Sequence, residues 1–373
     1  MSNERKYRVG VVGCGKICAI YFENLPRFEN LEVIACADLD PERARAAAES
    51  HAIPKVLQPE ELLADPDVDI VVNLTIPSAH VDVARAALRA GKHVYNEKPL
   101  TIRRRDAREL MGYAAQKGLR IGCAPDTVLG AGIQTCRRLI DEGAIGEPVG
   151  ANAFFMSRGV ESWHPNPEFF YKRGAGPLFD MGPYYLTTLV SLLGAARSVN
   201  GTARISFPKR EITSEPHNGK VIKVETPTHI VSTIDFESGP IGNVVMSFDV
   251  AGSQFATSIE VYGSEGTLVV PNPNRFTGPA LLRARGGEWH EIQDEHSYFE
   301  NWRGLGVAEM AAAIEENRPH RANDRIAYHV LDLMHSTLDS ADSGRRAELA
   351  STVGRPEPMP TGLTEGQIRT PKS

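Results

Sequence analysis

The sequence predicts two consecutive parts: an α/β unit with a doubly wound parallel sheet, then an α+β unit built on a large, mostly antiparallel open sheet. Three observations carry this. Up to about Ala124, short Val- and Ile-rich runs alternate with stretches of helical spacing, the pattern of a parallel sheet buried on both faces. A glycine-rich corner joins the first run to the first helix. From Val149 onward, strand-like runs follow one another across short turns, as antiparallel strands do.

The elements follow in order. Arg8–Val12, Leu31–Ala37, Ile70–Leu74, His93–Asn96 and Arg120–Cys123 read as buried strands. Between them Ile17–Leu25, Pro41–Ser50, His80–Ala90 and Asp106–Lys117 have helical spacing. Pro41 suits a first turn, and Gly91 and Gly118 stand where helices end. Gly132–Glu142 reads as a helix, Val149–Ser157 as a strand, and Trp163 to Tyr171 as an aromatic, proline-containing loop. A helix near Pro183–Leu193 precedes the strand candidates Val199–Phe207, Thr228–Phe236, Ile241–Phe248, Ser258–Tyr262, Thr267–Val270 and Leu281–Ala284. Gly306–Glu316 and Ile326–Ser340 read as closing helices. The tail after Arg355, rich in Pro, Gly and Thr, is expected to be poorly ordered or an arm. The expected divisions are residues 1–124, 125–355 and 356–373.

Bulk properties narrow the function classes. The 373 residues, 42% hydrophobic and 24% charged, are those of an ordinary globular chain with room for two cores. A net charge of −6 argues against nucleic-acid binding by bulk electrostatics, and the run Arg103-Arg104-Arg105 reads as a solvated helix start. The five cysteines, all before Arg137, show neither a disulfide framework nor metal-ligand spacing, so reduced thiols and no metal are expected. No apolar run is long enough to span a membrane and no apolar signal region opens the chain; a cytoplasmic location is expected.

Chemistry concentrates at the carboxyl edge of the first sheet. Gly13 and Gly15, followed by Lys16 and Ile17, make a corner where backbone amides can meet a pyrophosphate that any Cβ would obstruct. The third small position of such a fingerprint is Cys18. Asp38 closes the second strand, where a carboxylate accepts both ribose hydroxyls and repels a 2′-phosphate, favouring NAD; Lys16 and Arg43 leave NADP open. Asp38 competes with a helix-cap reading, but Asp40 fits the cap better. Thr75 and Pro77 either line the cofactor or form a plain loop with Ser78 as cap. Glu97 and Lys98 leave a buried strand at the same edge, and Pro99 stiffens their turn. A lysine there can donate to a substrate hydroxyl and shift a neighbouring base.

With these residues the chain resembles the glucose–fructose oxidoreductase, inositol dehydrogenase and MocA-like (Gfo/Idh/MocA) family over nearly its whole length. The resemblance rests on Gly13 to Ile17, Ala37 to Asp40, Gly91 to Tyr95 leading into Glu97-Lys98-Pro99, Ile140 to Gly146, Gly176 to Gly182, Tyr262 to Thr267 and Ser340 to Arg346, in that order. It implies a Rossmann domain binding NAD, with Lys98 as catalytic lysine and Asp180 and Tyr184 as its partners. Many members carry histidine where this chain has Tyr184; some carry tyrosine. Four-residue spacing would put Asp180 and Tyr184 on one helix face, with Pro183 confined to a first turn. Lys98 and the nicotinamide cation are expected to lower the phenol pKa from about 10. Two departures stand out. Ala124, Pro125, Asp126 and Thr127 replace an Asn and an Arg-Phe pair, and the acid–base histidine is absent. His164 is a candidate replacement or a substrate ligand, as is its neighbour Trp163, or else His164 is a solvated loop residue. The aromatic loop reads equally as a sugar-stacking wall or as packing.

The expected activity is oxidation of a secondary hydroxyl of a sugar, sugar derivative or cyclitol by hydride transfer to nicotinamide. The competing readings are a redox-neutral lyase or hydrolase with bound NAD, and a non-catalytic sensor. A homo-dimer or homo-tetramer through the open sheet is expected.

Overall fold

The computed structural model describes residues 5–369. Its first part runs β1 (Tyr7–Val12), α1 (Cys18–Asn24), β2 (Leu31–Ala37), α2 (Pro41–His51), β3 (Lys55–Leu57), α3 (Pro59–Ala64), β4 (Ile70–Asn73), α4 (His80–Arg89), β5 (His93–Asn96), α5 (Arg104–Lys117) and β6 (Ile121–Cys123). The strands form one parallel sheet in the order β3-β2-β1-β4-β5-β6. Chain direction across the sheet reverses between β1 and β4, which opens a crevice at their carboxyl ends. Val9, Val11, Ile70, Val71 and Val72 are completely buried, as strands covered on both faces require. Asp40 caps α2 by accepting from the Glu42 amide at 3.1 Å, and Gly118 ends α5 at φ +66°.

The second part comprises α6 (Ala131–Asp141), β7 (Pro148–Met156), α7 (Gly176–Asp180), α8 (Gly182–Leu193), β8 (Ala196–Arg204), β9 (Lys209–Glu211), β10 (Val221–Lys223), β11 (His229–Phe236), β12 (Ile241–Ser247), β13 (Thr257–Gly263), β14 (Gly266–Val270), β15 (Ala280–Ala284), β16 (Trp289–Ile292), α9 (Leu305–Glu315), α10 (Asp324–Ser343) and β17 (Ala347–Glu348). Nine strands form a sheet in the order β16-β15-β14-β13-β7-β12-β11-β8-β17. Among the described residues only β7 and β12 pair in parallel within it. Alternation along each strand separates two faces. Ile230, Ile234, Val244, Met246, Ala153 and Ile259 are buried on one, against a layer that includes α8 and α10. The register aligns Val231, Val245, Phe154 and Ser258 in a row on the other, with Val231 exposed.

Several elements had no sequence signal. The hairpin β9–β10 stands apart from the large sheet and closes a small second core of Val160, Tyr171, Ile212, Ile222, Val224 and Phe248. Arg210 underlies it, donating to Glu161 at 2.5 Å and pairing with Asp249. Arg104 departs from the solvated reading of its run: it donates to Asp332 at 2.6 Å and Asp339 at 2.7 Å, tying α5 to α10. Arg103 and Arg105 remain in exposed pairs with Asp106 and Glu109.

The chain returns to its first part after the large sheet. Helix α9 lies against β6, and Gly122 forms a bridge with Asn323. The carboxylate of Asp126 accepts from the Gly304 amide at 2.9 Å and the Gly306 amide at 3.0 Å, capping α9 from 178 residues away. The tail, expected to be poorly ordered or an arm, is an arm packed on both parts through residue 369; residues 370–373 lie outside the described residues. Met359, Leu363 and Ile368 are buried, the Met359 amide donates to Gln134 at 2.7 Å, and Arg27 pairs with Glu365 at 3.2 Å. Apolar residues spaced along a Pro- and Gly-rich segment give no periodicity, so composition alone hid this packing.

Two predictions follow from these contacts. Met359→Ala and Leu363→Ala should each cost about 2 kcal/mol or more in chemical denaturation, as truncations of buried side chains do. Burial pushes the Asp126 carboxyl up to about 6, against the amide hydrogen bonds and Arg303, which lower it; the ordinary value is 3.8. The folded state therefore holds this proton more tightly than the unfolded chain, and the group's contribution to stability declines as pH rises from about 4 to about 6. Asp126→Asn should flatten that part of the stability profile, read by urea titration across that range.

Candidate functional site

The crevice gathers four strand ends. Gly13 follows β1 at φ +104°, and a Cβ there would sit 2.7 Å from the Leu74 carbonyl carbon, so both conformation and space demand glycine. Gly15 differs: a Cβ would meet nothing within 4 Å, which leaves the space beside the turn open. Ile17 directly precedes α1, and the small Cys18 begins it, buried under the turn. All five cysteines are buried and free.

Asp38 is fixed by the turn it serves. One carboxylate oxygen accepts from the Cys14 amide at 2.7 Å and the other from the Asp40 amide at 2.9 Å. Each oxygen keeps a further acceptor site for a ribose hydroxyl. With Asp40 taking the α2 cap, Asp38 is free for that role. Arg43 lies 3.2 Å from Asp40 and Lys16 faces the Trp163 ring at 5.5 Å, so both cations named as openings for NADP have other partners. The residues present therefore suit a dinucleotide: an open glycine corner for pyrophosphate and a positioned carboxylate for ribose.

Thr75 follows β4 and donates through Oγ1 to Asn73 at 2.7 Å; Pro77 is half-buried two residues on. His80, fully buried at the start of α4, contacts the Thr75 carbonyl at 3.0 Å and the Pro99 carbonyl at 2.8 Å. It thereby joins the loop after β4 to the turn after β5, a link no sequence pattern indicated. Glu97 is held on both oxygens, by the Tyr21 hydroxyl at 2.9 Å and the Lys98 amide at 2.9 Å. Its carboxylate braces the turn, and Tyr21 is a supporting residue the sequence reading missed.

Lys98 crosses to the second part. Its ammonium donates to the Asp180 carboxylate at 2.8 Å and to the Asp180 carbonyl at 2.7 Å. It also lies 5.3 Å from the centroid of the Tyr184 ring. Two of three ammonium protons are engaged, leaving one for a ligand. Asp180 and Tyr184 do meet at one place, though on two helices and not on one face of a single helix. Asp180 ends α7, Tyr184 lies in the first turn of α8, and Met181 separates them. Pro183 occupies the first turn of α8, as its missing N–H requires.

The electrostatics bear out one expectation in part: Lys98 does lower the Tyr184 pKa, but other protein groups outweigh it. Burial raises the Tyr184 pKa, and Glu97 adds to this; Lys98 and Arg303 lower it without reversing the shift. Burial also lowers the Lys98 pKa, but Asp180, Tyr184 and Glu97 together raise it above its ordinary value. The pair is therefore a firmly charged lysine beside a firmly protonated phenol. Arg303, which precedes α9 and donates to Asn274 and Asn301, is among the cations that lower the Tyr184 pKa and was not singled out in the sequence.

The aromatic loop divides between its two readings. Tyr171 is fully buried in the second core, while Trp163 is 58% exposed and reaches Lys16 beside the glycine turn. His164 stacks edge-on against Trp163, Phe169 and Phe170, and its Nδ1 accepts from the Asn166 amide at 3.0 Å. Burial lowers its pKa, so it is a neutral imidazole with Nε2 carrying the proton. Among the described residues it makes no hydrogen bond to Lys98, Asp180 or Tyr184.

The two glycines make opposite predictions. Gly13→Ala should lower stability by about 1–3 kcal/mol through backbone strain and lose NAD binding with it. Gly15→Ala should leave the unfolding midpoint unchanged and weaken NAD binding alone, measured by NADH fluorescence titration.

Comparison with known proteins places this geometry. A family model described as "Oxidoreductase family, NAD-binding Rossmann fold" matches residues 7–124, and the Gfo/Idh/MocA C-terminal domain model matches residues 133–269. The chain is 28% identical to 1,5-anhydro-D-fructose reductase of Ensifer adhaerens over 350 residues, covering 92% of this chain and 98% of that protein. It is 25% identical to myo-inositol 2-dehydrogenase of Thermotoga maritima, covering 93% and 100%. Among solved structures, an NAD-binding oxidoreductase from Klebsiella pneumoniae superimposes with TM-score 0.82 at 23% identity, covering 93% and 99%. Levoglucosan dehydrogenase in complex with NADH and L-sorbose gives TM-score 0.80 at 19% identity, covering 93% and 100%, which speaks to the fold. The sequence, the sheet order and both matched domains agree: the chain belongs to the Gfo/Idh/MocA family of NAD(P)-dependent oxidoreductases.

Proposed function

We propose that this protein oxidises a secondary hydroxyl of a sugar, sugar derivative or cyclitol. The observation that carries the reading is the Lys98 ammonium held on Asp180 and set against the Tyr184 ring, at the edge where the nicotinamide of a dinucleotide on Gly13, Gly15 and Asp38 is expected to reach. Bound NAD supplies the hydride acceptor at nicotinamide C4. Lys98 donates its remaining ammonium proton to the substrate oxygen and so orients it. Tyr184 acts as the base in its phenolate form, reached once its own proton has left to solvent with Lys98 and the bound nicotinamide cation favouring that loss; Oη then accepts the hydroxyl proton as the carbon–hydrogen bond breaks. Asp180 fixes Lys98 and accepts from a second substrate hydroxyl. Trp163 offers an exposed ring for a sugar face, and His164 offers its Nε2 proton to a substrate oxygen. Lys16, Ile17, Thr75, Pro77 and Glu97 complete the cofactor side, as contacts or as supports of the turn. The doubly fixed Asp38 supports NAD over NADP.

In this reading residues 1–124 bind the dinucleotide, residues 125–355 bind substrate and mediate assembly, and residues 356–373 form the tail. The uncovered face of the nine-stranded sheet, with Val231, Val245 and exposed Ile241, supports a homo-dimer or homo-tetramer. Five free, buried thiols support a reducing, cytoplasmic setting.

The test is a panel of sugars and polyols assayed with NAD and with NADP for reduced-cofactor absorbance. The reading expects net NADH formation and a preference for NAD. Lys98→Ala and Tyr184→Phe should each lower turnover by about a hundredfold or more while NADH still binds. Near-normal turnover in both variants would sink the assignment, and turnover without net NADH would favour the redox-neutral chemistry.

A further inference from the structure

We propose that His80 is a positioning residue for Lys98, fixing the turn that carries the ammonium through a hydrogen bond from Nδ1 to the Pro99 carbonyl. This rests on Lys98 orienting the substrate oxygen, as proposed above.

The turn is held from beneath by buried polar side chains. Asn73 ends β4 and Asn96 ends β5, paired in register, and Asn73, His80 and Asn96 are all completely buried. Burying such groups costs free energy unless their hydrogen bonds are made. Here they are made to one another and to the backbone around Lys98. Asn73 Nδ2 donates to Asn96 Oδ1 at 2.9 Å, and Asn96 Nδ2 donates to the Leu100 carbonyl at 3.3 Å. The Glu97 amide donates to the Asn73 carbonyl at 2.9 Å. Pro99 has no N–H, so its carbonyl is its one polar backbone group, and His80 Nδ1 lies 2.8 Å from it. Glu97, Pro99 and Leu100 are thus each tied to β4, β5 or α4. Asp180 fixes the far end of the Lys98 side chain, and this turn fixes the near end.

The ring faces acceptors on both sides. His80 Nε2 lies 3.0 Å from the Thr75 carbonyl. Burial lowers the pKa of the imidazole, outweighing the two carbonyls and Glu97, and Lys98 adds to the lowering. A neutral imidazole has a single N–H, so one carbonyl receives it. Thr75 has another tie, since its amide and its hydroxyl both donate to Asn73 Oδ1, at 3.3 Å and 2.7 Å. Among the described residues Pro99 has no polar contact besides His80, and it stands at the shorter distance. The proton therefore belongs on Nδ1.

The test uses substitutions that tell the two nitrogens apart. His80→Leu keeps the bulk and removes both. The amide nitrogen of His80→Asn falls near the place of Nδ1, and that of His80→Gln near the place of Nε2. His80→Leu and His80→Gln should each lower kcat about tenfold or more, assayed with the panel sugar or polyol that forms NADH, while NADH affinity stays unchanged. His80→Asn should restore most of the turnover, a result that loss of packing would not give. In a Lys98→Ala background His80→Leu should cost nothing further, because His80 acts through that lysine. Nitrogen NMR of the full chain with labelled histidine gives a readout that needs no turnover. The His80 signals, assigned by their loss in His80→Asn, should show Nδ1 protonated and Nε2 bare. If His80→Leu does not fold, the contrast of Asn with Gln and the nitrogen spectrum carry the test. Equal losses in the Asn and Gln variants, a further loss on top of Lys98→Ala, or a proton on Nε2 each overturn the assignment. Near-normal turnover in Lys98→Ala removes the role of the lysine, and that of His80 with it. An inactive Lys98→Ala with full turnover in His80→Leu removes His80 alone.

Discussion

The site depends on a helix that stops. In a continuous helix the Asp180 carbonyl would accept from the amide four residues on, that of Tyr184. Here the Tyr184 amide turns instead to the Met181 carbonyl at 3.0 Å, and the Asp180 carbonyl is left for the Lys98 ammonium at 2.7 Å. The break between α7 and α8 thus provides a second acceptor beside the Asp180 carboxylate. Two acceptors from one residue fix the lysine in direction as well as distance. Pro183, which cannot continue a helix from behind, makes the interruption a property of the sequence.

Around that contact, charge is arranged against a dry background. Lys98 and Asp180 are each largely covered, and Tyr184 is buried beneath them. Glu97 belongs to the brace that runs through Tyr21, and Asp126 to the cap of α9. The two carboxylates that raise local pKa values are therefore also the ones that hold the architecture. Removing either would disturb position and electrostatics together, which makes the conservative amide substitution more informative than alanine.

Much of this was legible in the chain. The parallel sheet announced itself because strands buried on both faces read as unbroken Val and Ile runs, and the glycine corner oriented the sheet. The large second sheet followed from alternation and turn residues. The elements that escaped, among them β3, α3, the β9–β10 hairpin, β16 and β17, are six residues long or shorter, too few for a period to register. Lys98, Asp180 and Tyr184 were marked by local strings, and the fold brings them together. Tyr21, His80 and Asp126 were not, since each acts through a partner on another element: Tyr21 lies 76 residues from Glu97, and Asp126 lies 178 from Gly304.

The packed tail has a mechanical consequence. The chain leaves the first sheet after β6, comes back to it through α9, and is fastened again where Arg27 meets Glu365 and the Glu29 amide meets the Gly366 carbonyl at 3.3 Å. The two halves are therefore joined by three separate segments. A single linker permits a hinge; three attachments at different places permit rotation only if one of them peels away. The aromatic segment is fastened too, by Ser214 donating to the His164 carbonyl at 2.6 Å and Lys220 to Glu168 at 2.6 Å, so Trp163 is presented to Lys16 from an anchored loop.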